Sequence, residues 1–315
     1  MPVSVIPDVP FATQGGVALH ADLYLPGGTG DAVPLVVWVH AGGWRFGSRK
    51  LAPDLARYFA ASGFAMAAVD YRLTTHATFP AQIEDLKTAI RWLRSVAGRH
   101  GFDAGRVGLW GSSAGGHLSA LAALTSPGTF EPADAPYREY SSEVRCVVAG
   151  YPPVDFLRLD EDRPPPGTRS ADPENLPLPR PDMRAADADS FESLLLGAPI
   201  GTCPDRVRAA NPLTYAAPGA PPFLILHGLA DTTIPPAQSV LLYEGLAACG
   251  VPATLCLVHH LGHGFLHRTH LDDGPVRRLM VRRADGAGGE VVEECARPIF
   301  PLIEDFFRRT LGAVT

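Results

Sequence analysis

The chain has 315 residues, of which 46% are hydrophobic, and it carries a formal net charge of −6. This composition can bury a large core, and such mild acidity argues against a nucleic-acid-binding protein, which would show a basic patch or a high pI. The N-terminus lacks the pattern of a secretion signal, and no apolar run approaches the roughly 20 residues that span a bilayer.

A hairpin is expected at the start of the chain, because residues 3–12 and 17–25 are joined by the turn residues Gly15 and Gly16. We expect these two antiparallel strands at the edge of a sheet. Six short runs follow that are apolar on both faces, as in parallel strands covered by helices on each side. The runs are Leu35–His40, Phe64–Asp70, Val107–Trp110, Cys146–Ala149, Phe223–Leu226 and Thr254–Val258.

Amphipathic segments between these runs predict helices over residues 80–99, 235–249 and 300–311. The first of them has an apolar stripe at helical spacing. The stripe consists of Ile83, Leu86, Ile90 and Leu93. Strands alternating with helices predict a doubly wound α/β architecture, in which eight mostly parallel strands carry helices on both faces. We expect one domain that spans residues 1–315.

Two segments do not fit the alternation. Residues 152–190 are rich in proline and charge, which predicts an irregular excursion that could act as a lid or be a plain surface loop. Residues 270–297 contain two short apolar stretches on either side of Asp285-Gly-Ala-Gly-Gly289. This pattern predicts a small hairpin inserted before the last helix.

Gly111-Ser-Ser-Ala-Gly115 follows a predicted strand and precedes a helix rich in alanine and leucine. This is the G-x-S-x-G nucleophile elbow in the context that it requires, with Ser113 as the nucleophile. A glycine-rich turn with a capping serine would show the same five letters. The position after a strand favours the catalytic interpretation.

Two further residues complete a candidate triad. Asp231 and His263 each follow a predicted strand, and the chain order of Ser113, Asp231 and His263 is that of the α/β-hydrolases. Ser113 would attack a carbonyl carbon, His263 would take its proton, and Asp231 would hold the histidine. Asp231 alone could be a helix cap, and other histidines lie close to His263. A metal site is not supported, since no metal-binding motif is present.

An oxyanion-binding loop is expected after the first parallel strand. Gly42 and Gly43 can direct backbone N–H groups at a developing oxyanion, together with the N–H of Ala114. The alternative is an ordinary connection between a strand and a helix. Trp44 and Phe265 are candidate walls of the substrate pocket, although aromatic residues near a core are more often packing groups.

Taken together, these residues resemble the esterase and lipase branch of the α/β-hydrolase superfamily that has an HGGGW-type loop. The resemblance is to feruloyl and acetyl xylan esterase-like and hormone-sensitive-lipase-like carboxylesterases, and it covers most of the chain. The motifs are His40–Gly47, Val69–Leu73, Phe79–Asp85, Gly111–His117, Leu195–Gly197, Pro222–Pro235 and Gly262–Phe265. Ala41 departs from the family pattern, which usually has a glycine there. The insertion at residues 270–297 departs from it as well.

The resemblance implies an α/β-hydrolase fold and a serine carboxylic ester hydrolase without a cofactor, acting on small acyl or acetyl esters through an acyl-enzyme on Ser113. An amidase, a thioesterase or an acyltransferase would use the same triad. A non-catalytic binding protein on this fold would normally lack a triad residue, so we disfavour it.

The expected partner is a small-molecule ester, with no nucleic acid and no membrane span. The five cysteines are scattered, odd in number and without a CxxC pair. Free thiols in a reducing compartment are the simplest interpretation, which places the protein in the cytoplasm.

Overall fold

The computed structural model of the chain describes residues 2–28, 31–165 and 167–312. The strands are β1 (Val3–Gln14), β2 (Val17–Pro26), β3 (Val33–Val39), β4 (Ala65–Val69), β5 (Phe102–Ser112), β6 (Cys146–Gly150), β7 (Phe223–Gly228), β8 (Ala253–Val258), β9 (Arg277–Ala284) and β10 (Glu290–Arg297). The helices are α1 (Leu55–Tyr58), α2 (Ala81–His100), α3 (Ala114–Leu124), α4 (Leu159–Asp162), α5 (Phe191–Leu196), α6 (Pro204–Ala210), α7 (Pro236–Ala248) and α8 (Ile299–Leu311).

All of these strands belong to one sheet with the order β1-β2-β4-β3-β5-β6-β7-β8-β9-β10. Its centre, from β4 across to β8, is parallel. The predicted N-terminal hairpin is present as β1 and β2, and β2 pairs with β4 in the antiparallel direction. The predicted mostly parallel sheet with an antiparallel edge is therefore confirmed.

The inserted hairpin changes the expected strand number. It forms β9 and β10, which join the sheet beside β8, so the described residues contain a ten-stranded sheet where eight strands were predicted. The reason lies in β9, where Leu279 and Val281 are buried and extend the apolar face of the sheet. Pairing with β9 also covers the edge of β8, which would otherwise expose unpaired backbone groups.

The core has two layers because successive residues of a buried strand point to opposite faces. In β3, the side chains of Leu35, Val37 and Val39 join the cluster packed under α2, α3 and α7. Val36 and Trp38 join the cluster packed under α1 and α8. Helices thus cover both faces of the sheet, which explains why the sequence of the parallel strands shows no alternation.

The three predicted helices are observed as α2, α7 and α8, and each of their ends lies within one residue of the prediction. The stripe predicted in α2 is buried along its whole length. None of the described helices is both long and apolar enough to cross a bilayer.

The loops that matter for function meet at the carboxyl edge of the parallel strands, where ligands bind in open α/β sheets. The loop at residues 40–47 follows β3, and Ser113 follows β5. Asp231 and His263 follow β7 and β8. Motifs that are far apart in the sequence therefore form one cluster at this edge of the sheet.

The excursion at residues 152–190 follows β6 at that same edge. Its described residues are irregular apart from the one-turn helix α4. Pro166, in the predicted proline run, lies outside the described residues.

Candidate active site

The nucleophile elbow forces Ser113 into a strained backbone conformation. Its φ is 52° and its ψ is −123°, between the last residue of β5 and the first of α3. Such a conformation costs a non-glycine residue on the order of 1–3 kcal/mol and is found mainly at functional sites. The flanking glycines permit it. A Cβ at Gly111 would lie 2.2 Å from the carbonyl oxygen of Gly115, and a Cβ at Gly115 would lie 2.0 Å from that of Val39.

The structure brings the three predicted triad residues together. Ser113 Oγ lies 3.0 Å from His263 Nε2, and His263 Nδ1 lies 2.7 Å from Asp231 Oδ2. A carboxylate can only accept, so Nδ1–H of His263 donates to Asp231. Nε2 is then free to accept the hydroxyl proton of Ser113, which is the arrangement of a general base with its nucleophile.

The carboxylate of Asp231 is fully buried but well partnered. Its Oδ1 accepts hydrogen bonds from the backbone N–H groups of Thr233, at 2.8 Å, and Ile234, at 2.9 Å. Burial by itself would raise the pKa of Asp231, but the neighbouring His263 and His227 hold this pKa well below its ordinary value. Asp231 therefore stays ionised, and its charge favours a protonated imidazole at His263.

His227 is a site residue that the sequence did not single out. Its Nε2 lies 3.3 Å from Asp231 Oδ2 and donates to the carbonyl oxygen of Ile234 at 2.9 Å. Its Nδ1 lies 2.7 Å from Ser239 Oγ. The only available signal was its position at the end of β7, four residues before Asp231.

The other histidines near His263 do not contact Ser113. His260 is exposed. His267 Nε2 lies 2.8 Å from Ser112 Oγ, and burial lowers the pKa of His267 to about 4. Over the described ranges, no group of three or more histidine, cysteine or acidic side chains is arranged to hold a metal ion.

The loop after β3 has the shape expected of an oxyanion-binding loop. Gly42 has a φ of 113° and Gly43 a φ of 58°. A Cβ at Gly42 would lie 2.2 Å from the carbonyl oxygen of Phe46, and one at Gly43 would lie 2.8 Å from the ring of Phe191. Ala41 does not have a positive φ, so this position does not need the glycine that the family usually has there.

The backbone donors of this loop are free. Within the described residues, the N–H groups of Gly42, Gly43 and Ala114 have no hydrogen-bond partner in the protein. Ala114 opens α3, where N–H groups have no partner within the helix. All three residues line the same cavity as Ser113 and His263.

His40 anchors the start of this loop. Its ring stacks on Tyr71 with 4.2 Å between centroids, and its Nδ1 lies 2.7 Å from the carbonyl oxygen of Ala41. Burial lowers the pKa of His40 to about 4, which keeps the ring neutral at physiological pH. The hydroxyl of Tyr71 donates to the His40 carbonyl oxygen at 3.0 Å. These contacts fix the backbone at the start of the loop.

The cavity above Ser113 has a volume of about 200 Å³. Its walls are mostly apolar and come from the segments that follow β3, β6 and β7 and from α5. They include Trp44, Phe46, Leu51, Tyr151, Leu176, Pro177, Leu178, Phe191 and Ile234. The prediction that Trp44 lines the pocket agrees with this geometry. A larger depression of about 900 Å³ elsewhere on the surface contains no triad residue.

The predicted pocket residue Phe265 does not line this cavity. Its side chain is buried in the core, with its ring centroid 5.1 Å from that of Tyr151. The physical reason is local, because Gly264 has a φ of 85° and begins a short 3₁₀ helix that turns Phe265 inward. Tyr151, which was not predicted as a pocket residue, lines the cavity instead.

Glu192 is a second wall residue that the sequence did not indicate. Its side chain is only 4% exposed, and its Oε1 lies 3.7 Å from Arg163 Nη2. Burial raises the pKa of Glu192, and Arg163 opposes that shift. A carboxyl group thus stands in an otherwise mostly apolar wall.

Comparison with known proteins shows the family to which the chain belongs. The BD-FAE family model matches residues 21–246. Esterase LipC of Mycobacterium tuberculosis is 34% identical over 235 residues, which are 74% of this chain and 53% of LipC. The probable carboxylic ester hydrolase LipM of the same organism is 30% identical over 213 residues, which are 67% of this chain and 44% of LipM. The chain spans about half the length of these curated relatives.

Solved structures agree on the fold. A truncated carbohydrate esterase from gut microbiota superimposes with a TM-score of 0.75 at 24% identity, covering 98% of this chain and 96% of the other. Esterase Est2 of Thermogutta terrifontis with butyrate bound superimposes with a TM-score of 0.63 at 26% identity, covering 84% and 85%. The resemblance predicted from the motifs is confirmed: the chain belongs to the BD-FAE family, in the esterase branch of the α/β-hydrolases.

Proposed function

We propose that the protein is a serine carboxylic ester hydrolase that cleaves small acyl esters through an acyl-enzyme on Ser113. The observation that carries the proposal is the continuous hydrogen-bond chain from Ser113 Oγ through His263 to Asp231, with distances of 3.0 Å and 2.7 Å. The names of the relatives support an ester substrate, since LipC is called an esterase and LipM a probable carboxylic ester hydrolase.

The first half of the reaction forms the acyl-enzyme. Ser113 Oγ attacks the ester carbonyl carbon while His263 Nε2 takes the hydroxyl proton. The tetrahedral intermediate then collapses, and the imidazolium of His263 returns this proton to the leaving alcohol. Asp231 stays ionised throughout and holds the imidazole in the tautomer that can accept at Nε2.

The second half repeats these steps with water as the nucleophile. His263 takes a proton from water, the hydroxide adds to the acyl carbon, and Ser113 leaves with the proton returned by His263. An amine, thiol or alcohol acceptor in place of water would give acyl transfer, and an amide or thioester substrate would use the same groups. The relatives' names favour ester hydrolysis among these alternatives.

The backbone N–H groups of Gly42, Gly43 and Ala114 stabilise the charge on the carbonyl oxygen in both halves. One such donor typically lowers the barrier by about 3 kcal/mol. The donors act without reorganisation, because their directions are already fixed by the loop geometry and by the start of α3.

Replacing Gly42 by alanine should therefore reduce kcat for p-nitrophenyl butyrate by about 10²-fold or more. The added Cβ would lie 2.2 Å from the Phe46 carbonyl oxygen, so the loop must shift and carry its donors away. Ala41→Gly is the matched control one residue earlier, and it should retain nearly full kcat because Ala41 has no positive φ. Unchanged kcat in Gly42→Ala would show that the donors of this loop do not act on the reaction.

The cavity favours a short acyl group. Its volume of about 200 Å³ lies below the roughly 300–1,000 Å³ of pockets that enclose drug-sized ligands. Its mostly apolar walls suit a short hydrocarbon chain, and the Thermogutta esterase was solved with butyrate and with propionate bound. We therefore propose acetyl to butyryl esters as the preferred substrates.

A panel of p-nitrophenyl acetate, butyrate, octanoate and laurate tests the proposal, together with acetylated sugars and aryl formamides. We expect kcat/KM to be highest for acetate or butyrate and to fall steeply for octanoate and laurate. Faster turnover of the formamides than of any ester would favour the amidase alternative. A maximum at laurate would contradict the assignment of the cavity as the acyl site.

We also propose that the protein works in the cytoplasm. All five cysteines have free thiols. Burial raises the pKa values of Cys146 and Cys256 to about 12, so these two thiols are unreactive packing groups. Free thiols are the usual state of cysteine in a reducing compartment, which supports this location.

A further inference from the structure

Residues 170–176 of the excursion lie directly across the two loops that carry Asp231 and His263. We call this segment the clasp. Its contacts are made between parts of the chain that are 57 to 90 residues apart in sequence. The two loops have no strand partner at these positions, so the clasp supplies hydrogen bonds that the sheet cannot.

The clasp forms three hydrogen bonds with the backbone of the histidine loop. Asn175 Oδ1 accepts from the N–H of His263 at 2.7 Å, and the N–H of Leu176 donates to the His263 carbonyl oxygen at 3.1 Å. Asp172 Oδ2 accepts from the N–H of Gly262 at 2.6 Å. Both backbone polar groups of the proposed catalytic histidine are therefore bonded to the clasp.

The same segment holds the aspartate loop. Asn175 Nδ2 donates to Thr232 Oγ1 at 3.2 Å, and Thr233 Oγ1 donates to the Leu176 carbonyl oxygen at 2.5 Å. Ser170 Oγ donates to the carbonyl oxygen of Ala230. Asn175 thus links the two loops through one amide group, with its oxygen on the histidine side and its nitrogen on the aspartate side.

Packing against the clasp explains the glycines on either side of His263. A Cβ at Gly262 would lie 2.5 Å from Asn175 Oδ1, and a Cβ at Gly264 would lie 2.4 Å from Leu176 Cδ1. A side chain at either glycine would therefore displace the side chain of Asn175 or of Leu176. Asp172 is itself fixed, since its carboxylate forms an ion pair with Arg268 and is only 4% exposed.

We propose that the clasp is a fixed positioning element of the catalytic site, in which Asn175 and Asp172 set the distance and angle of His263 relative to Ser113 and Asp231. Neither residue lines the substrate cavity, so both act through the histidine loop and not on the substrate. The proposal rests on the proposed esterase activity, because it concerns the geometry of that reaction.

The consequence of losing the clasp follows from its hydrogen bonds. Without the Asn175 side chain, the N–H of His263 is left unbonded in a buried position, and the hydrogen bond from the Asn175 amide to Thr232 is lost. His263 can then sample orientations in which its Nε2 is farther from Ser113. A misplacement of about 1 Å can cost on the order of 10²-fold in rate, even when the substituted residue does not touch the substrate.

The test compares Asn175→Ala with Asn175→Asp for hydrolysis of p-nitrophenyl butyrate. We expect Asn175→Ala to reduce kcat by about 10²-fold with KM close to that of the wild type. Asn175→Asp keeps an oxygen that accepts from the N–H of His263, so it should recover most of this loss. Asn175→Ser is a milder variant, whose shorter side chain should fall between the two and which guards against misfolding of Asn175→Ala.

Arg180→Ala is the matched control within the same excursion. Arg180 forms ion pairs with nearby aspartates of the excursion and does not contact either loop. Arg180→Ala should lower Tm and leave kcat nearly unchanged. The fall in kcat of Asn175→Ala should instead be larger than its change in Tm can explain.

Wild-type kcat in Asn175→Ala or Asn175→Ser would overturn the proposal, and so would a loss that merely follows Tm as in Arg180→Ala. Failure of the proposed function would look different. In that case the wild type itself would not hydrolyse the ester.

Discussion

Ser113→Ala should reduce kcat for p-nitrophenyl butyrate by about 10⁶-fold, because it removes the proposed nucleophile. The variant keeps the backbone of the elbow, because the substitution removes only the hydroxyl oxygen that lies 3.0 Å from His263 Nε2. Circular dichroism and Tm should therefore match the wild type. The measurement is the steady-state rate at saturating ester.

Ser112→Ala is the control for the register of the elbow. Ser112 is buried and bonded to His267 instead of His263, so its loss should leave most of kcat intact. A large loss in Ser112→Ala combined with an active Ser113→Ala would move the nucleophile by one residue.

Replacing His263 by alanine should be similarly damaging, with kcat reduced by about 10⁶-fold. Ser113 would lose the base that accepts its proton, and Asp231 would lose the imidazole that it orients at 2.7 Å. The rate is again measured at saturating p-nitrophenyl butyrate, with Tm as the check on folding.

The matched control is His260→Ala, three residues away in the same connection. His260 is exposed and has no contact with Ser113, so this variant should keep nearly full activity. If His260→Ala were inactive and His263→Ala active, the assignment of the base would be wrong.

The triad could be predicted because each of its residues follows a strand whose apolar run is visible in the sequence. Strand ends of a parallel sheet meet at one edge, so the order of the motifs carries three-dimensional information. Ser113 was further indicated by its flanking glycines, because a side chain at Gly111 would meet the Gly115 carbonyl and one at Gly115 would meet the Val39 carbonyl of β3. Gly42 and Gly43 were also predictable, because the oxyanion loop needs the positive φ values that favour glycine.

The clasp could not be predicted, because nothing in the local sequence connects Asn175 with His263. The proline-rich excursion has neither helical nor strand periodicity, and its hydrogen bonds join residues far apart in the chain. Only tertiary structure shows that this segment lies against the catalytic loops. Glu192 was missed for the same reason, since it reaches the cavity from α5, on a different part of the chain.

Two other differences have separate causes. Phe265 was expected to be a pocket wall, but the positive φ of Gly264 turns it into the core. The hairpin at residues 270–297 was recognised by its turn, whereas its pairing with β8 depends on the buried side chains of Leu279 and Val281. A hairpin pattern does not reveal which edge it will join.

Covalent labelling shows whether Ser113 is a nucleophile activated by His263. The protein is incubated with an organophosphonate that carries a p-nitrophenol leaving group, and its peptides are analysed by mass spectrometry. We expect one covalent adduct, located on Ser113, and its rate of formation should fall steeply in His263→Ala. An adduct on Ser112, or no adduct in the wild type at reagent concentrations that label serine esterases, would show that Ser113 is not the nucleophile.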